Sequence, residues 1–191
     1  MKVGDSSQFL ISADSFFIKT RGIKTPMFIE AGEKLRFDVK ITSTITEEEI
    51  QAERMKLDQE KQLEEQKIIN DYIATNNITV EPTQSGLYII PIENGNGKKI
   101  EAGQTAIVHY TGTLTNGQVF DSSVQRDEPF EFPLGQHRVI QAWDEAVATM
   151  RVGDKIKIVS PSNLAYGSRG AGGMIAPFST LVFEIKLIGI K

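Results

Sequence analysis

The strongest constraint on the fold is a long central stretch that lacks both helix-breaking and turn-forming residues. Residues 33–81 contain neither glycine nor proline, and the part from Thr46 to about Asn76 is rich in Glu, Gln and Lys. Thr46 and Glu49 have the spacing of a capping box, in which each side chain binds the backbone amide of the other residue. The sequence therefore predicts a helix from Thr46 to Asn76, about 46 Å long at about 1.5 Å per residue.

The apolar residues of this helix are sparse at its start and denser at its end, and they do not form the sustained heptad of a coiled coil. One interpretation is a solvated connector whose last turns dock on a folded domain. The other is a helix that forms a dimer or binds a partner. The distribution favours the connector, because the dense apolar positions are confined to the final turns.

Beyond the predicted helix, glycine returns and alternating apolar patterns continue to the end of the chain. Asn116-Gly117 is a hairpin signal, and residues 139–148 form the one helical pattern of this part. The alternation predicts strands at residues 87–93, 104–114, 118–122, 130–132, 155–161 and 181–190. The expected fold class is α+β, with a curved antiparallel sheet and one short helix.

Composition excludes several classes of function. The chain has no cysteine and only two histidines, His109 and His137, which excludes a disulfide, a thiolate nucleophile and a cysteine- or histidine-rich metal site. Its formal net charge of −4 argues against nucleic acid as the main ligand, because phosphate contacts need a surplus of Lys and Arg on one face. The sequence has neither an apolar run long enough to span a membrane nor the pattern of a signal peptide.

The two ends of the chain resemble each other. MKVGD at residues 1–5 is similar to MRVGD at residues 150–154, and LRFDVKI at residues 35–41 is similar to LVFEIKL at residues 181–187. Alternating strands look alike by chance, but the shared start together with the strand pattern favours homology. We therefore expect residues 1–44 to be the second half of a domain from a longer parent, with Met1 in the place of an internal methionine. The unpaired strand edges of a half-domain invite formation of a homodimer through this lobe.

The aromatic residues of the C-terminal part have two interpretations when taken alone. A β-domain of this size needs an aromatic core, and core packing would account for most of them. Asp121, however, lies between Phe120 and two serines, where a plain core would not accommodate a carboxylate. Trp143, the only tryptophan, lies in the short predicted helix beside a β-branched pair. These two features favour a lined pocket.

Several motifs follow one another in a fixed order and carry a family resemblance. They are VHYTG (108–112), NGQVFDSS (116–123), PFEFPLG (129–135), VIQAW (139–143), LAYGSRG (164–170), IAP (175–177) and TLVFE (180–184). In this order and at these spacings, residues 85–191 closely resemble an FKBP-type peptidyl-prolyl cis-trans isomerase. The half-repeat resembles the tandem-domain bacterial members of that family.

The resemblance implies an FKBP-like curved antiparallel sheet wrapped on a short helix, preceded by a long helix and a partial β-rich lobe. It implies three parts: a half-domain at 1–44, a connecting helix at 45–77 and a catalytic domain at 78–191. The implied activity is the acceleration of X-Pro bond rotation in protein folding, with no cofactor and no metal.

This chemistry agrees with the residues present. Resonance keeps the amide planar and gives a rotation barrier of about 18–20 kcal/mol. The carbonyl of a twisted amide is less polar, so an apolar pocket favours the twisted form over the planar one. The reaction needs no nucleophile, which fits a chain with no cysteine and many aromatic residues.

The resemblance also implies a role for each matching residue. The implied catalytic residues are Tyr110, Asp121, Tyr166 and Ile140, of which the Tyr166 hydroxyl and the Ile140 amide would donate to substrate carbonyls. Arg126 would keep Asp121 ionised, and Trp143 would form the floor under the prolyl ring. The implied substrate-binding residues are Phe120, Phe130, Val139, Trp143, Ile175, Phe183 and Arg126.

The implied partners are proline-containing unfolded or nascent polypeptides and macrolide inhibitors of the tacrolimus type. Met174 and Ala176 depart from the family's loop pattern, which bears on substrate preference. Envelope-located bacterial members of the family and the absence of cysteine favour the periplasm or cell envelope for the parent protein.

Two other functions stay open from the sequence. One is a chaperone-like module that binds unfolded proteins and catalyses only incidentally, and the other is a structural interaction domain. The N-terminal lobe has Phe17 in the place of Tyr166 and no counterpart of Tyr110, Asp121 or Trp143. We therefore expect this lobe to be inactive.

Overall fold

The computed structural model describes residues 2–30 and 32–191, so Met1 of the half-repeat lies outside the described residues. The chain divides into two compact units, and the boundary falls between Arg54 and Met55. Within the described ranges, no helix combines the length and apolarity that crossing a bilayer requires.

The long helix α1 spans Glu47–Thr75, within one residue of the predicted bounds at each end. Its start has the predicted capping box: the Glu49 amide donates to Thr46 Oγ1 at 3.2 Å, and the Thr46 amide donates to Glu49 Oε2 at 2.9 Å. The unit boundary lies inside α1, and the part from Met55 onward belongs to the second unit. Glu65 and Ile69 are the buried residues of this helix.

The second unit contains an antiparallel sheet of six strands. They are β3 (Tyr88–Glu93), β4 (Thr105–Leu114), β5 (Val119–Ser122), β6 (Phe130–Pro133), β7 (Lys155–Ser160) and β8 (Leu181–Ile190). The order is β3-β7-β8-β4-β5, and β6 pairs with β4 beside β5. Two short helices, α2 (Ser123–Arg126) and α3 (Gln141–Val147), lie in the connections after β5 and β6.

The core of this unit lies between the sheet and α3. Alternate residues of β4, namely Ala106, Val108 and Tyr110, are buried, as period-2 patterning requires. Helix α3 buries its two alanines together with Trp143 and Val147 in the same cluster. The single tryptophan is therefore fixed where the helix faces the sheet.

The first unit contains a two-stranded antiparallel sheet, β1 (Ser6–Ser12) and β2 (Lys34–Lys40), with a π-helical turn over Ser15–Thr20 between them. Phe9 pairs with Phe37. In the second unit Ile158 of β7 pairs with Phe183 of β8. The half-repeat equates Phe37 with Phe183, and Phe9 and Ile158 each lie eight residues after the methionine that begins their repeat. The two strand pairs therefore share one register.

The turns before the two strand pairs also agree. The Lys2 amide donates to the Asp5 carboxylate at 2.7 Å, and the Arg151 amide donates to the Asp154 carboxylate at 2.6 Å. The glycine in each turn has a positive φ, 95° at Gly4 and 98° at Gly153. The two ends therefore share the amide–carboxylate hydrogen bond and the glycine conformation of this turn, in addition to its sequence.

Candidate functional site

An open cavity of about 250 Å³ lies between α3 and the neighbouring strands. Its lining comes from β4, β5, β6, α3 and β8, together with the loops before α3 and after β7. The lining residues are Tyr110, Phe120, Asp121, Phe130, Arg138, Val139, Ile140, Trp143, Tyr166 and Phe183. Sequence elements that are far apart along the chain thus meet at one predominantly aromatic site.

Trp143 is the centre of the aromatic set. Its ring lies 4.8 Å from Tyr110 and 5.5 Å from Phe183, centroid to centroid, and both pairs are nearly perpendicular. Phe130 lies 5.9 Å from the same ring, also edge to face. Each edge-to-face pair contributes about 0.5–1.5 kcal/mol of stability in addition to the contribution from buried apolar area. The rings therefore form a rigid apolar floor and wall.

Gly112 on β4 leaves room for the rings of Phe120 and Phe183 to pack over the strand. A Cβ at this position would lie 2.6 Å from Phe120 and 2.9 Å from Phe183, which is closer than real side chains allow. Only glycine permits the two rings to pack edge to face at 5.6 Å over this strand. Glycine inside an otherwise regular strand is a sequence signal for such a close approach.

The polar rim of the cavity is centred on Asp121. The Tyr110 hydroxyl and Arg126 Nη1 both donate to the Asp121 carboxylate, and Arg126 Nη2 donates to the Tyr110 oxygen at 3.2 Å. Burial acts to raise the pKa of Asp121, but the hydrogen bonds from Tyr110 and Arg126 outweigh it, so this pKa lies below its ordinary value. Burial and the bond to Asp121 raise the pKa of Tyr110. The site thus holds an ionised carboxylate and a neutral phenol.

Helix α2 positions Arg126 for this contact. It is a single turn, capped by Ser122, whose hydroxyl accepts from the Gln125 amide at 3.3 Å, and it ends at Asp127 with φ of 52°. Buried Ser123 accepts from the Tyr110 amide at 2.8 Å. The serine pair after Asp121 therefore fastens α2 to β4.

His109 lies on the opposite face of β4 from Tyr110. Its Nδ1 lies 3.1 Å from the Ser123 hydroxyl, and it borders a second, charged surface with Glu93 and Lys186. His137 is exposed in the loop before α3, where its amide donates to Asp144 at 3.1 Å. Neither histidine lines the aromatic cavity.

The loop before α3 presents a backbone donor to the cavity. Ile140 is extended, with φ of −60° and ψ of 149°, and its carbonyl accepts from the Trp143 amide at 2.9 Å. Within the described part of the chain, the Ile140 amide itself has no hydrogen-bond partner. Asp144 secures this loop by accepting from the Gly135 amide at 2.9 Å, in addition to the His137 amide.

Tyr166 lies at the cavity mouth and is 40% exposed. Its hydroxyl makes no hydrogen bond to any of the residues described. The residue belongs to the long β7–β8 connection, residues 161–180, which also contains a glycine-rich loop at residues 167–173. The hydroxyl is therefore a second donor available at the cavity.

Two of the predicted binding residues do not line the cavity. Ile175 is 8% exposed and packs in the hydrophobic core, where its amide and carbonyl pair with Ala171. Arg126 reaches the site only through Asp121 and Tyr110. Arg138 does line the cavity and was not predicted, although its position beside the Val139–Ile140 pair is a usable signal. The other predicted site residues all line the cavity.

The arrangement suits a ligand with an apolar ring and nearby carbonyl groups. The rings offer burial, whereas the Ile140 amide and the Tyr166 hydroxyl offer two donors at the rim. Among residues 2–30 and 32–191, no three histidine or carboxylate side chains are grouped to bind a metal ion.

Comparisons with known proteins agree on one family. A family model described as FKBP-type peptidyl-prolyl cis-trans isomerase matches residues 96–188. FK506-binding protein 1 of Dictyostelium discoideum is 50% identical over 106 residues, which cover 56% of this chain and 99% of that protein. The FKBP-type 22 kDa peptidyl-prolyl cis-trans isomerase of Escherichia coli (strain K12) is 50% identical over 111 residues, 58% of this chain and 53% of that protein.

A solved structure extends the likeness to the fold. A peptidyl-prolyl cis-trans isomerase from Pseudomonas syringae pv. tomato str. DC3000 superposes with a TM-score of 0.61 at 34% sequence identity. The superposition covers 70% of this chain and 95% of that chain.

Proposed function

The chain belongs to the FKBP-type peptidyl-prolyl cis-trans isomerase family, and from this premise we propose that its aromatic cavity binds the prolyl ring and twisted amide of the substrate. The predicted α+β FKBP fold and the predicted isomerase activity are confirmed by the relatives and the solved structures. The relatives do not favour the alternative of a binding module with incidental catalysis.

The observation that carries the proposal is the combination of a rigid aromatic floor with only a few polar groups at the rim. Rotation about the X-Pro bond breaks amide resonance, with an uncatalysed barrier of about 18–20 kcal/mol. As resonance is lost, the carbonyl becomes less polar and gains less from water. A site that replaces water with the rings around Trp143 therefore stabilises the twisted amide relative to the planar one.

Each polar group has a distinct part in this proposal. The Ile140 amide and the Tyr166 hydroxyl donate to carbonyls that flank the proline and hold the peptide across the cavity. Arg126 and Tyr110 keep Asp121 ionised. Its negative charge determines the electrostatic field at the place where the amide carbonyl rotates. No proton is transferred in this mechanism, because rotation makes and breaks no σ bond.

The substrates that fit this site are proline-containing segments of unfolded or nascent polypeptides. Several relatives carry the name FK506-binding protein, and we propose that a macrolide of the tacrolimus type occupies the same cavity. Such a ligand should compete with peptide substrates in the isomerase assay.

Tyr166→Phe tests the assignment of the cavity, because it removes only a hydroxyl from a half-exposed side chain. One hydrogen bond contributes about 0.5–1.5 kcal/mol, so kcat/KM on an Ala-Leu-Pro-Phe peptide should fall about 2- to 12-fold. Exchange NMR or a protease-coupled assay measures the rate. Tyr88→Phe, on β3 away from the cavity, is the matched control and should retain the native rate. An unchanged rate in Tyr166→Phe, or no competition by tacrolimus, would contradict the proposal.

The domain organisation is also proposed as an extension of the family assignment. We take residues 78–191 as the catalytic domain, 45–77 as a connecting helix and 1–44 as an FKBP-like half-domain. The shared register of the β1–β2 and β7–β8 pairs supports the half-domain. The lobe lacks counterparts of Tyr110, Asp121 and Trp143, so it should contribute no catalysis.

The half-domain further supports a homodimer. In the catalytic domain β7 and β8 each have a second partner strand, β3 and β4. Within the described residues, β1 and β2 pair only with each other, and exposed apolar side chains such as Phe9, Leu10 and Val39 lie on them. Open edges of this kind pair with another chain, and a second copy carries the same edges.

A further inference from the structure

Helix α1 contributes a buried carboxylate to the loop region beside the cavity. Glu65 is 5% exposed, although the other acidic residues of α1 are exposed, apart from half-buried Asp58. Carboxylates are rarely buried this deeply without partners, because desolvation of the charge is costly. Glu65 therefore has a specific task in the fold.

The partners of Glu65 lie at the two ends of the β7–β8 connection. Its Oε1 accepts from the Ser162 amide at 2.6 Å and from Thr180 Oγ1 at 3.1 Å, and its Oε2 accepts from Ser162 Oγ at 2.6 Å. Ser162 is 97 residues from Glu65 in the chain, and Thr180 is 115 residues away. One carboxylate thus joins Ser162, the second residue after β7, to Thr180, the residue that precedes β8.

The connection that Glu65 closes carries Tyr166. Ser162 opens a single 3₁₀ turn that ends at Leu164, which is buried in the core, and Tyr166 follows two residues later. At the other end, the Phe178 amide donates to the Gly167 carbonyl at 2.9 Å. The orientation of Tyr166 at the cavity mouth is therefore set by a short segment whose first residue Glu65 holds.

We propose that Glu65 is a positioning residue for catalysis, which fixes the β7–β8 connection so that the Tyr166 hydroxyl points to the substrate. In this view the part of α1 from Met55 onward positions a loop of the catalytic unit, in addition to connecting the two units. The inference rests on the proposed role of Tyr166 in the cavity, and Glu65 itself touches no substrate.

The first test is a pair of variants at one position. Glu65→Ala removes all three acceptor contacts, whereas Glu65→Gln retains an acceptor for the Ser162 amide and can donate to the Ser162 hydroxyl. Glu65→Ala should lower kcat/KM on the short peptide by an amount no larger than Tyr166→Phe does, about 2- to 12-fold. Glu65→Gln should restore most of the rate. Glu64→Ala is the matched control, because that neighbour is exposed and, among the residues described, forms a salt bridge only with Lys61.

A double-mutant cycle separates positioning from general stability. If Glu65 acts through Tyr166, Glu65→Ala should have less than a twofold effect in a Tyr166→Phe background. A role in stability alone would give the same factor in both backgrounds, and this outcome would overturn the proposal. Tyr166→Phe on its own tests the cavity assignment, so failure of either claim is recognised separately.

Assays are run at a temperature well below the thermal unfolding midpoint of each variant, which is measured by Trp143 fluorescence. If Glu65→Ala does not fold, the variant Ser162→Ala/Thr180→Val removes two of the three donors and leaves the carboxylate one buried partner. Its rate should fall in the same Tyr166-dependent manner, and amide exchange across residues 162–175 should accelerate. Native rates together with native exchange in this variant would overturn the proposal.

Discussion

Asp121 shows how one residue is held in a defined ionic state by its neighbours. Two donors of different kinds, a phenol and a guanidinium, meet at its carboxylate. Both the Asp121 and Arg126 side chains are close to half exposed, so solvent screens the ion pair and it adds little to stability. Its value lies in the orientation and charge that it gives to the cavity rim.

We expect Asp121→Ala to lower kcat/KM about 10-fold, equivalent to about 1.4 kcal/mol of transition-state stabilisation. The loss is moderate because the aromatic floor stays in place and no proton is transferred. Steady-state assays on the Ala-Leu-Pro-Phe peptide measure it. Glu128→Ala, which removes one exposed carboxylate just beyond α2, controls for the change in net charge. A loss of several thousandfold would point to a chemical role for the carboxylate.

The same assignment predicts a flat pH profile. The folded pKa of Asp121 lies below its unfolded value, about 3.9. The stabilisation from its ionised form is therefore present above that value and is lost only as pH falls through the folded pKa. Tyr110 has a pKa raised above about 10, so it stays neutral. Activity should be constant from about pH 6 to about pH 8, whereas a bell-shaped profile there would indicate acid–base catalysis.

Membership of the cavity lining could be predicted from sequence where a motif fixes both the residue type and its spacing. Tyr110, Asp121, Trp143 and Phe183 fall in such motifs, and they all line the cavity. Ile175 does not line it, because its backbone pairs with Ala171 and its side chain packs in the hydrophobic core. Alternation and spacing do not determine how a glycine-rich loop folds back.

At the scale of elements, strands and helices follow the local patterns closely, whereas docking surfaces do not. Every strand predicted in the C-terminal part is present, with bounds shifted by at most one residue. Glu65 could not be recognised in advance, since a glutamate in a Glu-, Gln- and Lys-rich helix looks solvated. Its burial depends on Ser162 and Thr180, which the sheet brings close from far along the chain.

The docked face of α1 makes a testable contribution to stability. Ile69 is 2% exposed, whereas its neighbour Ile68 is 46% exposed. Ile69→Ala should lower the free energy of unfolding of the second unit by about 2–5 kcal/mol, through lost burial and a residual cavity. Denaturant titration followed by Trp143 fluorescence measures it, because the only tryptophan lies in this unit.

Ile68→Ala is the control for that experiment, because it makes the same change in helix propensity at an exposed position. Its effect should stay within about 0.5 kcal/mol. Equal effects of the two substitutions would mean that α1 does not dock on the catalytic domain through this face.

At the scale of the whole molecule, the two ends of the chain repeat one strand pair, but only one of them continues into a full sheet. The register that pairs Phe9 with Phe37 also pairs Ile158 with Phe183. The half-repeat in the sequence predicts related strands at the two ends, and the common register agrees with it, since a register shifted by one residue would move every side chain to the other face. No local sequence pattern indicates what covers the open edges of β1 and β2.

The proposed homodimer gives the last prediction. Light scattering across a concentration series should give the full chain a mass of twice its 21.2 kDa, and a fragment of residues 55–191 the mass of a monomer. The fragment begins at residue 55 because Glu65 and Ile69 are buried in the second unit. Its kcat/KM on the short peptide should equal that of the full chain, since the cavity residues all lie within it.

A lysine substitution on β1 distinguishes a specific dimer through the N-terminal lobe from non-specific association. Leu10→Lys places an ammonium on β1, where the native side chain is 65% exposed, and it should shift the full chain to monomer because charged residues block edge pairing. Val124→Lys, at a 59% exposed position in the second unit, changes net charge equally and should leave the dimer intact. If the native full chain is monomeric at all concentrations, the open edges of β1 and β2 do not serve as a dimer interface. If both lysine variants dissociate equally, the association is electrostatically non-specific and does not depend on the lobe.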